Sequence, residues 1–291
     1  GGLAVLFITT QAAPSLARSI LVLAALGAIA LGLACAAGYQ VVARAAWSTD
    51  RYRGPAPLLV FGLVIALTAM VSSLAGGLGL VAPGTPGAFL AGLLIIGIAY
   101  LGTTWLFVVR TGALSWREMG WPGRRPGAAR DAFVAAGIGI GAALPMTILA
   151  LTVAAVLASL LGIRSGTVLP TPSSSPEAIA IAIGAALIAP FGEELFFRGF
   201  ALTAWRRGRT LRGAIVASAA FFGIVHVLNS ADAATFGEGF AQAIVQVAVI
   251  IPVGVILGAL FVRRGIAASI AAHATYNGLL LALLALGLGA G

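Results

Sequence analysis

Long apolar runs without a charged residue are the feature that most constrains this chain. They cover residues 19–43, 54–109, 132–163, 213–231, 239–262 and 265–291. A transmembrane helix needs about 20 consecutive apolar residues, so each run is long enough to cross a bilayer and the second can cross it twice. A turn signal, Gly84-Thr85-Pro86-Gly87, divides that second run.

The composition excludes a soluble fold of this size. Hydrophobic residues make up 60% of the 291 residues, only 9% are charged, and the mean hydropathy is +1.09. An eighth segment, residues 176–205, is also mainly apolar. We therefore predict an all-α polytopic membrane protein, a bundle of about eight transmembrane helices that forms a single transmembrane domain over residues 1–291. The predicted spans are 20–43, 56–81, 87–109, 132–161, 176–205, 211–229, 239–262 and 266–287.

The basic residues predict the orientation of the chain. All 17 are arginines, and all but three follow the first, third, fifth or seventh span. Arg18 and Arg164 lie in the other loops, and Arg198 lies within a span. The positive-inside rule therefore places the loops after spans 1, 3, 5 and 7 in the cytoplasm and both termini outside. This alternation requires eight spans.

The charge balance also bears on partners and location. The net charge of +9 lies in short loops between spans, where orientation and anionic lipid headgroups explain it. We therefore expect contact with the lipid bilayer and no nucleic-acid partner. The Arg-only, Ala/Gly-rich composition is typical of a high-GC bacterium, so the predicted location is the bacterial plasma membrane.

Six polar residues within the predicted spans are candidates for a functional site. Ionisable groups at this depth cost several kcal/mol unless they are paired or hydrated, so they carry a functional hypothesis by default. The fifth span contributes three of them, the sixth one and the eighth two. They are Glu193, Glu194, Arg198, His226, His273 and Asn277.

Helical spacing predicts how these residues divide. Glu194 and Arg198 are four residues apart and can pair along one helix, whereas Glu193 lies about 100° around the helix and points elsewhere. His273 and Asn277 share one helix face. At 1.5 Å per residue, the candidates outside the ion pair lie about 11–22 Å from the cytoplasmic ends of their spans. Three helices thus bring polar groups to one middle layer.

Such a set can activate water. A desolvated glutamate can act as a general base, with a histidine that shares the proton, while a second histidine and an asparagine donate hydrogen bonds to an oxyanion. A second interpretation makes Glu193, His226 and His273 a two-histidine, one-carboxylate metal site with an open position for water. No H-E-x-x-H motif supports zinc. Structural roles also remain open, as an ion pair, packing histidines and an asparagine between helices.

Three motifs resemble those of the CPBP family of intramembrane proteases, which includes the type II CAAX prenyl endopeptidases and bacteriocin-processing or immunity proteins. They are Glu193-Glu194-x-x-x-Arg198, Phe222-x-x-x-His226 and His273-x-x-x-Asn277. The resemblance covers residues 176–287, which it implies are the catalytic core formed by spans 5–8. It further implies an intramembrane cavity within the helical bundle.

The resemblance also implies roles for individual residues. Glu193 and His226 would activate water, and His273 with Asn277 would stabilise the oxyanion. Glu194 and Arg198 would support the site. The family has been described both as metal-dependent and as glutamate-dependent. We expect the glutamate mechanism, which requires no cofactor, with a divalent metal such as zinc as the alternative.

These observations favour an intramembrane endopeptidase acting on a peptide or a membrane-anchored protein. The alternative is a non-catalytic membrane protein of the same family, such as an immunity factor or a partner subunit. A third hypothesis, a transporter with a proton-linked Glu/His relay, predicts internal symmetry between the halves of the chain, and the sequence does not display it.

Overall fold

A computed structural model describes residues 16–47, 50–82, 84–163, 172, 174–227 and 235–286. All regular secondary structure among these residues is helical. The all-α prediction is confirmed. We number the helices α1 to α8 in chain order. They are α1 Leu16–Ala43, α2 Pro57–Gly77, α3 Pro86–Val109, α4 Ala128–Leu161, α5 Ser175–Arg206, α6 Leu211–His226, α7 Phe236–Arg264 and α8 Ile266–Ala285.

Seven of these helices are long and apolar enough to cross a membrane, and each corresponds to a predicted span. The exception is α6, whose 16 residues extend about 24 Å. The end of the predicted sixth span, residues 228–229, lies outside the described residues, as do Arg164 and residue 287. The chain is thus a polytopic helical membrane protein.

Local sequence signals fix the start of α3. Pro86 occupies the first turn of α3, and the Thr85 side chain accepts a hydrogen bond from the Ala88 N–H at 3.2 Å. Gly84, just before them, has φ +77°, which suits glycine. The predicted break between the second and third spans is therefore confirmed.

The chain divides into two compact units. The first comprises Gly1–Ser115 and Pro172–Gly184, and the second Trp116–Thr171 and Ala185–Gly291. In the first unit, α1, α2 and α3 pack around Ala30, Leu63 and Ala66. A 2.6 Å hydrogen bond from Arg44 to the Gly54 carbonyl braces the loop between α1 and α2.

The second unit contains all the candidate site residues. Its core joins α4, α7 and α8 through Ala143, Met146, Val253, Leu257 and Tyr276. Helix α4 approaches α8 so closely that a Cβ added to Gly139 would lie 2.1 Å from the Ala268 carbonyl oxygen. Small residues at such a contact are typical of helix packing in membranes.

Helix α5 is not a uniform α-helix. It is α-helical over Ser175–Ile183, Ala189–Glu193 and Thr203–Arg206, and it widens to π-helix over Gly184–Ile188 and Glu194–Leu202. π-Turns are rare and occur frequently at functional sites. The hydroxyl of Ser218 on α6 donates to the Phe197 carbonyl at 2.9 Å and thereby ties the second π segment to its neighbour.

Candidate active site

Glu194 is the centre of the polar cluster in the second unit. Its side chain has no solvent exposure. It accepts hydrogen bonds from Arg198 at 2.8 Å, from His273 Nδ1 at 2.9 Å and from the Ser269 hydroxyl. Three donors from two helices therefore satisfy a carboxylate that would otherwise be costly to bury.

The ion pair expected from the four-residue spacing of Glu194 and Arg198 is present, and both side chains are fully buried. Arg198 also donates to the Gly254 carbonyl on α7 at 3.4 Å. Its guanidinium carbon lies 4.2 Å from the centre of the Phe222 ring, a cation–π distance. Its Nε is buried without a hydrogen-bond partner among the described residues.

His273 contacts both adjacent glutamates. Because a carboxylate only accepts hydrogen bonds, His273 donates through Nδ1 to Glu194, and this orients Nε2 towards Glu193. The Nε2 atom lies 3.8 Å from Glu193 Oε2, which is too long for a direct hydrogen bond. The Glu193 side chain is 22% exposed to solvent, so the less buried of the two carboxylates faces the ring nitrogen that does not bind Glu194.

The expected division of the two glutamates therefore needs a correction. From ideal α-helical geometry, we expected Glu193 to face the polar layer and Glu194 to interact with Arg198 alone. In the structure the helix changes from α to π between them, and both carboxylates reach the His273 ring. Glu194 is thus in direct contact with a candidate catalytic histidine as well as with Arg198.

His226 is the last residue of α6 and is half-buried. Its Nδ1 lies 2.7 Å from the Phe222 carbonyl oxygen one turn earlier. Because a carbonyl only accepts, Nδ1 carries the hydrogen, which leaves Nε2 of a neutral ring as an acceptor. No hydrogen bond or ion pair joins His226 to Glu193 in the described part of the chain.

Asn277 lies one turn after His273 on α8. Its side-chain amide donates to the Ala185 carbonyl of α5 at 2.8 Å. The residue therefore lies close to α5, as a role in the same site requires, but one of its two N–H groups is already engaged by the backbone.

Two further residues belong to the cluster, and their roles were not predicted. Phe222 lies between three site residues, because its ring centre is 4.4 Å from that of His226 and 5.7 Å from that of His273, in addition to the Arg198 contact. Ser269 hydrogen-bonds Glu194. It precedes His273 by four residues, and the same spacing that linked His273 to Asn277 could have identified it.

The geometry does not fit the proposed metal site. Among the residues that the structure describes, no group of three histidine, cysteine, aspartate or glutamate side chains is arranged to hold a metal ion. The Nδ1 atoms of His226 and His273 are engaged, by a carbonyl and by Glu194 respectively, which leaves both Nε2 atoms available, as in metal-ligating histidines. Because the described side chains form no group arranged for an ion, we assign no step to a metal held by Glu193, His226 and His273.

Comparison with known proteins bears on the same region. Residues 175–279 match the family model described as "Type II CAAX prenyl endopeptidase Rce1-like". No curated protein and no solved structure matches the chain. The matched segment contains all three motifs and nearly coincides with the predicted core, 176–287. The predicted resemblance is therefore confirmed: residues 175–279 are similar to the Rce1-like family of type II CAAX prenyl endopeptidases.

Proposed function

We propose that this protein is an intramembrane endopeptidase in which Glu193 is the general base. The observation that carries the proposal is the arrangement of His273 between two carboxylates. Glu194 binds Nδ1 at 2.9 Å, and Nε2 lies 3.8 Å from Glu193. The proposed base therefore lies beside the proposed oxyanion donor, and the segment is similar to a family of endopeptidases.

In the proposed reaction, Glu193 takes a proton from water, and the water oxygen forms a bond to the carbonyl carbon of the scissile peptide. His226 accepts a hydrogen bond from the second O–H of this water through Nε2, without taking its proton, and so orients the attack. The C–N bond then breaks, and Glu193 returns the proton to the leaving amine. This step needs Glu193 and His226 to share a water, because no hydrogen bond or ion pair among the described residues joins them directly.

His273 and Asn277 are proposed to stabilise the oxyanion of the tetrahedral intermediate. Because His273 Nδ1 donates to Glu194, its Nε2 can donate to an oxyanion only when both ring nitrogens carry hydrogen. Asn277 would contribute the N–H that does not bind Ala185. The buried pair Glu194 and Arg198 would support the site.

The proposed substrate is a peptide or a membrane-anchored protein that enters a core formed by α5 to α8. The name of the matched family model suggests a prenylated C-terminal CAAX sequence as the first candidate substrate. We further propose that the loops after α1, α3, α5 and α7 are cytoplasmic, because their arginines follow the positive-inside rule. A substrate anchored in the cytoplasmic leaflet would then approach from the side that carries these loops.

The test is cleavage of a farnesylated CAAX peptide and its non-prenylated twin by purified protein in detergent. Glu193→Gln preserves the shape of the side chain and removes the base, so kcat/KM should fall by about 100-fold or more. Glu238→Gln, in the first turn of α7 and partly exposed, is the matched control and should leave turnover unchanged. Equal turnover by wild type and Glu193→Gln would refute the assigned role.

A non-catalytic member of the family is the second candidate. It is favoured by the satisfied hydrogen bonding of Glu194, which would stabilise a helical bundle even without turnover. This candidate predicts that wild-type protein cleaves neither peptide. It also predicts that cells carrying Glu193→Gln and His226→Ala keep the full phenotype of the wild type.

A further inference from the structure

We infer that Asn277 is a positioning residue whose amide replaces the backbone N–H that Pro190 lacks. By binding the Ala185 carbonyl, it would hold the carboxylate-bearing helix α5 in register with His273 on α8. The capping itself is independent of the chemistry proposed above, whereas its effect on catalysis rests on that proposed function.

The first π segment of α5 leaves one backbone carbonyl without a donor from its own helix. Ala185 lies within the π-turn Gly184–Ile188. In a π-helix each carbonyl accepts from the N–H five residues later, and the residue five after Ala185 is Pro190. Proline has no N–H, so this register leaves the Ala185 carbonyl without its backbone donor.

An unpaired carbonyl is costly in this environment. Helix α5 is one of the seven segments able to cross a membrane, where no bulk water is present to bind a free backbone group. The side-chain Nδ2 of Asn277 lies 2.8 Å from the Ala185 carbonyl oxygen and donates a hydrogen bond to it. The asparagine therefore supplies from α8 the hydrogen bond that the proline removes from α5.

The location of this bond gives it a second consequence. Asn277 lies one helical turn from His273, and Ala185 precedes Glu193 by eight residues on α5. Two neighbouring groups on α8, Ser269 and His273, bind Glu194 farther along α5. Helices α5 and α8 are thus joined at two levels, at Ala185 and at Glu194, about 13 Å apart along α5. Two levels of bonding fix both the axial register and the rotation of one helix against the other.

This role can be separated from that of an oxyanion donor. An oxyanion donor acts on substrate whatever residue occupies position 190. A positioning residue that replaces a missing N–H becomes less important once the N–H is restored. Pro190→Ala restores it, and Pro190→Val does so with a side chain closer in size to proline.

The experiment compares wild type, Asn277→Ala, Pro190→Ala and the double variant, by thermal unfolding in detergent and by turnover of the peptide cleaved in a Glu193-dependent manner. We expect Asn277→Ala to lower the unfolding midpoint by about 3 °C or more in the Pro190 background. At least half of that loss should disappear in the Pro190→Ala or Pro190→Val background. Thr275→Ala, on a different face of α8, is the control and should not depend on residue 190.

The outcomes are distinguishable. Equal midpoint losses from Asn277→Ala in all backgrounds would overturn the capping inference, even if the protein is a protease. For catalysis, positioning predicts that kcat falls with little change in KM and partly recovers in the double variant. An equal fall of kcat in both backgrounds, with no change in the midpoint, would instead assign Asn277 to the oxyanion alone. If wild type cleaves no peptide, the proposed function fails, and the unfolding data still decide the capping.

Discussion

The Arg198 guanidinium lies 4.2 Å from the centre of the Phe222 ring, and both side chains are buried. This contact joins the first motif, on α5, to the second, on α6. Phe222 also supplies the carbonyl that orients His226, so one residue serves the second motif through both its ring and its backbone.

Replacing Phe222 should therefore destabilise the second unit. Phe222→Leu keeps the backbone carbonyl but removes the cation–π contact and the aromatic pairs with His226 and His273. We expect a loss of about 2–3 kcal/mol in the free energy of unfolding, measured in detergent. Phe133→Leu is the control, because Phe133 is 81% exposed on α4. Equal losses from both substitutions would contradict a specific role for the Phe222 ring.

Removing the buried cation should cost more than removing the pair. Arg198→Gln leaves Glu194 buried without its strongest partner, and we expect a loss of about 3–5 kcal/mol in unfolding free energy. The double variant Arg198→Gln/Glu194→Gln removes both charges and should recover part of that loss, which a double-mutant cycle measures. Breaking the exposed pair Arg125–Asp131 should cost about 1 kcal/mol or less. Additive losses at positions 194 and 198 would argue against coupling.

The contact between α4 and α8 can be tested at one glycine. A Cβ at Gly139 would lie 2.1 Å from the Ala268 carbonyl oxygen and 3.0 Å from the Ala272 nitrogen, both of which are rigid backbone atoms. Gly139→Ala should therefore force α4 away from the helix that carries His273 and lower the unfolding midpoint by several degrees, as thermal unfolding would measure.

The control for this substitution lies on the same helix. Nothing lies within 4 Å of a Cβ added at Gly137, so Gly137→Ala should be neutral or stabilise by about 0.5–1 kcal/mol. If Gly139→Ala were equally harmless, the close packing of α4 on α8 would be wrong.

Chelators should not inhibit the proposed proteolysis. No group of three metal-ligating side chains is arranged for an ion among the described residues, and the proposed base is Glu193. We therefore expect unchanged kcat/KM after dialysis against EDTA or 1,10-phenanthroline, with metal content measured on the same sample. Loss of activity that added zinc restores would establish a metal requirement and would contradict the proposed mechanism.

The positions of the helices could be predicted from the sequence because a membrane-spanning helix is a long apolar run. The α4 prediction, 132–161, differs from the observed Ala128–Leu161 only at its start, where two alanines and the charged residues Arg130 and Asp131 extend the helix beyond the predicted span. The three motifs identified the segment that matches the endopeptidase family. These features depend on local composition and spacing, which the sequence states directly.

The internal geometry of α5 was not accessible in the same way. A π-turn has no apolar periodicity of its own, and its register depends on partners such as Ser218 and Asn277 from other helices. The 100° separation of Glu193 and Glu194 suggested different surroundings for each, but the two nitrogens of the His273 ring lie near both carboxylates, so the surroundings of Glu194 were misassigned. Ser269 was missed because a serine in an apolar helix resembles a small packing residue until its partner is known.

The two histidines differ in what keeps them oriented. His226 is held by the Phe222 carbonyl of its own helix, whereas His273 on α8 is held by Glu194 on α5. If helices must separate to admit a peptide, the first restraint survives that movement and the second does not. The His226 ring would keep its orientation throughout the catalytic cycle, whereas the His273 ring would be oriented only while α5 and α8 are close together.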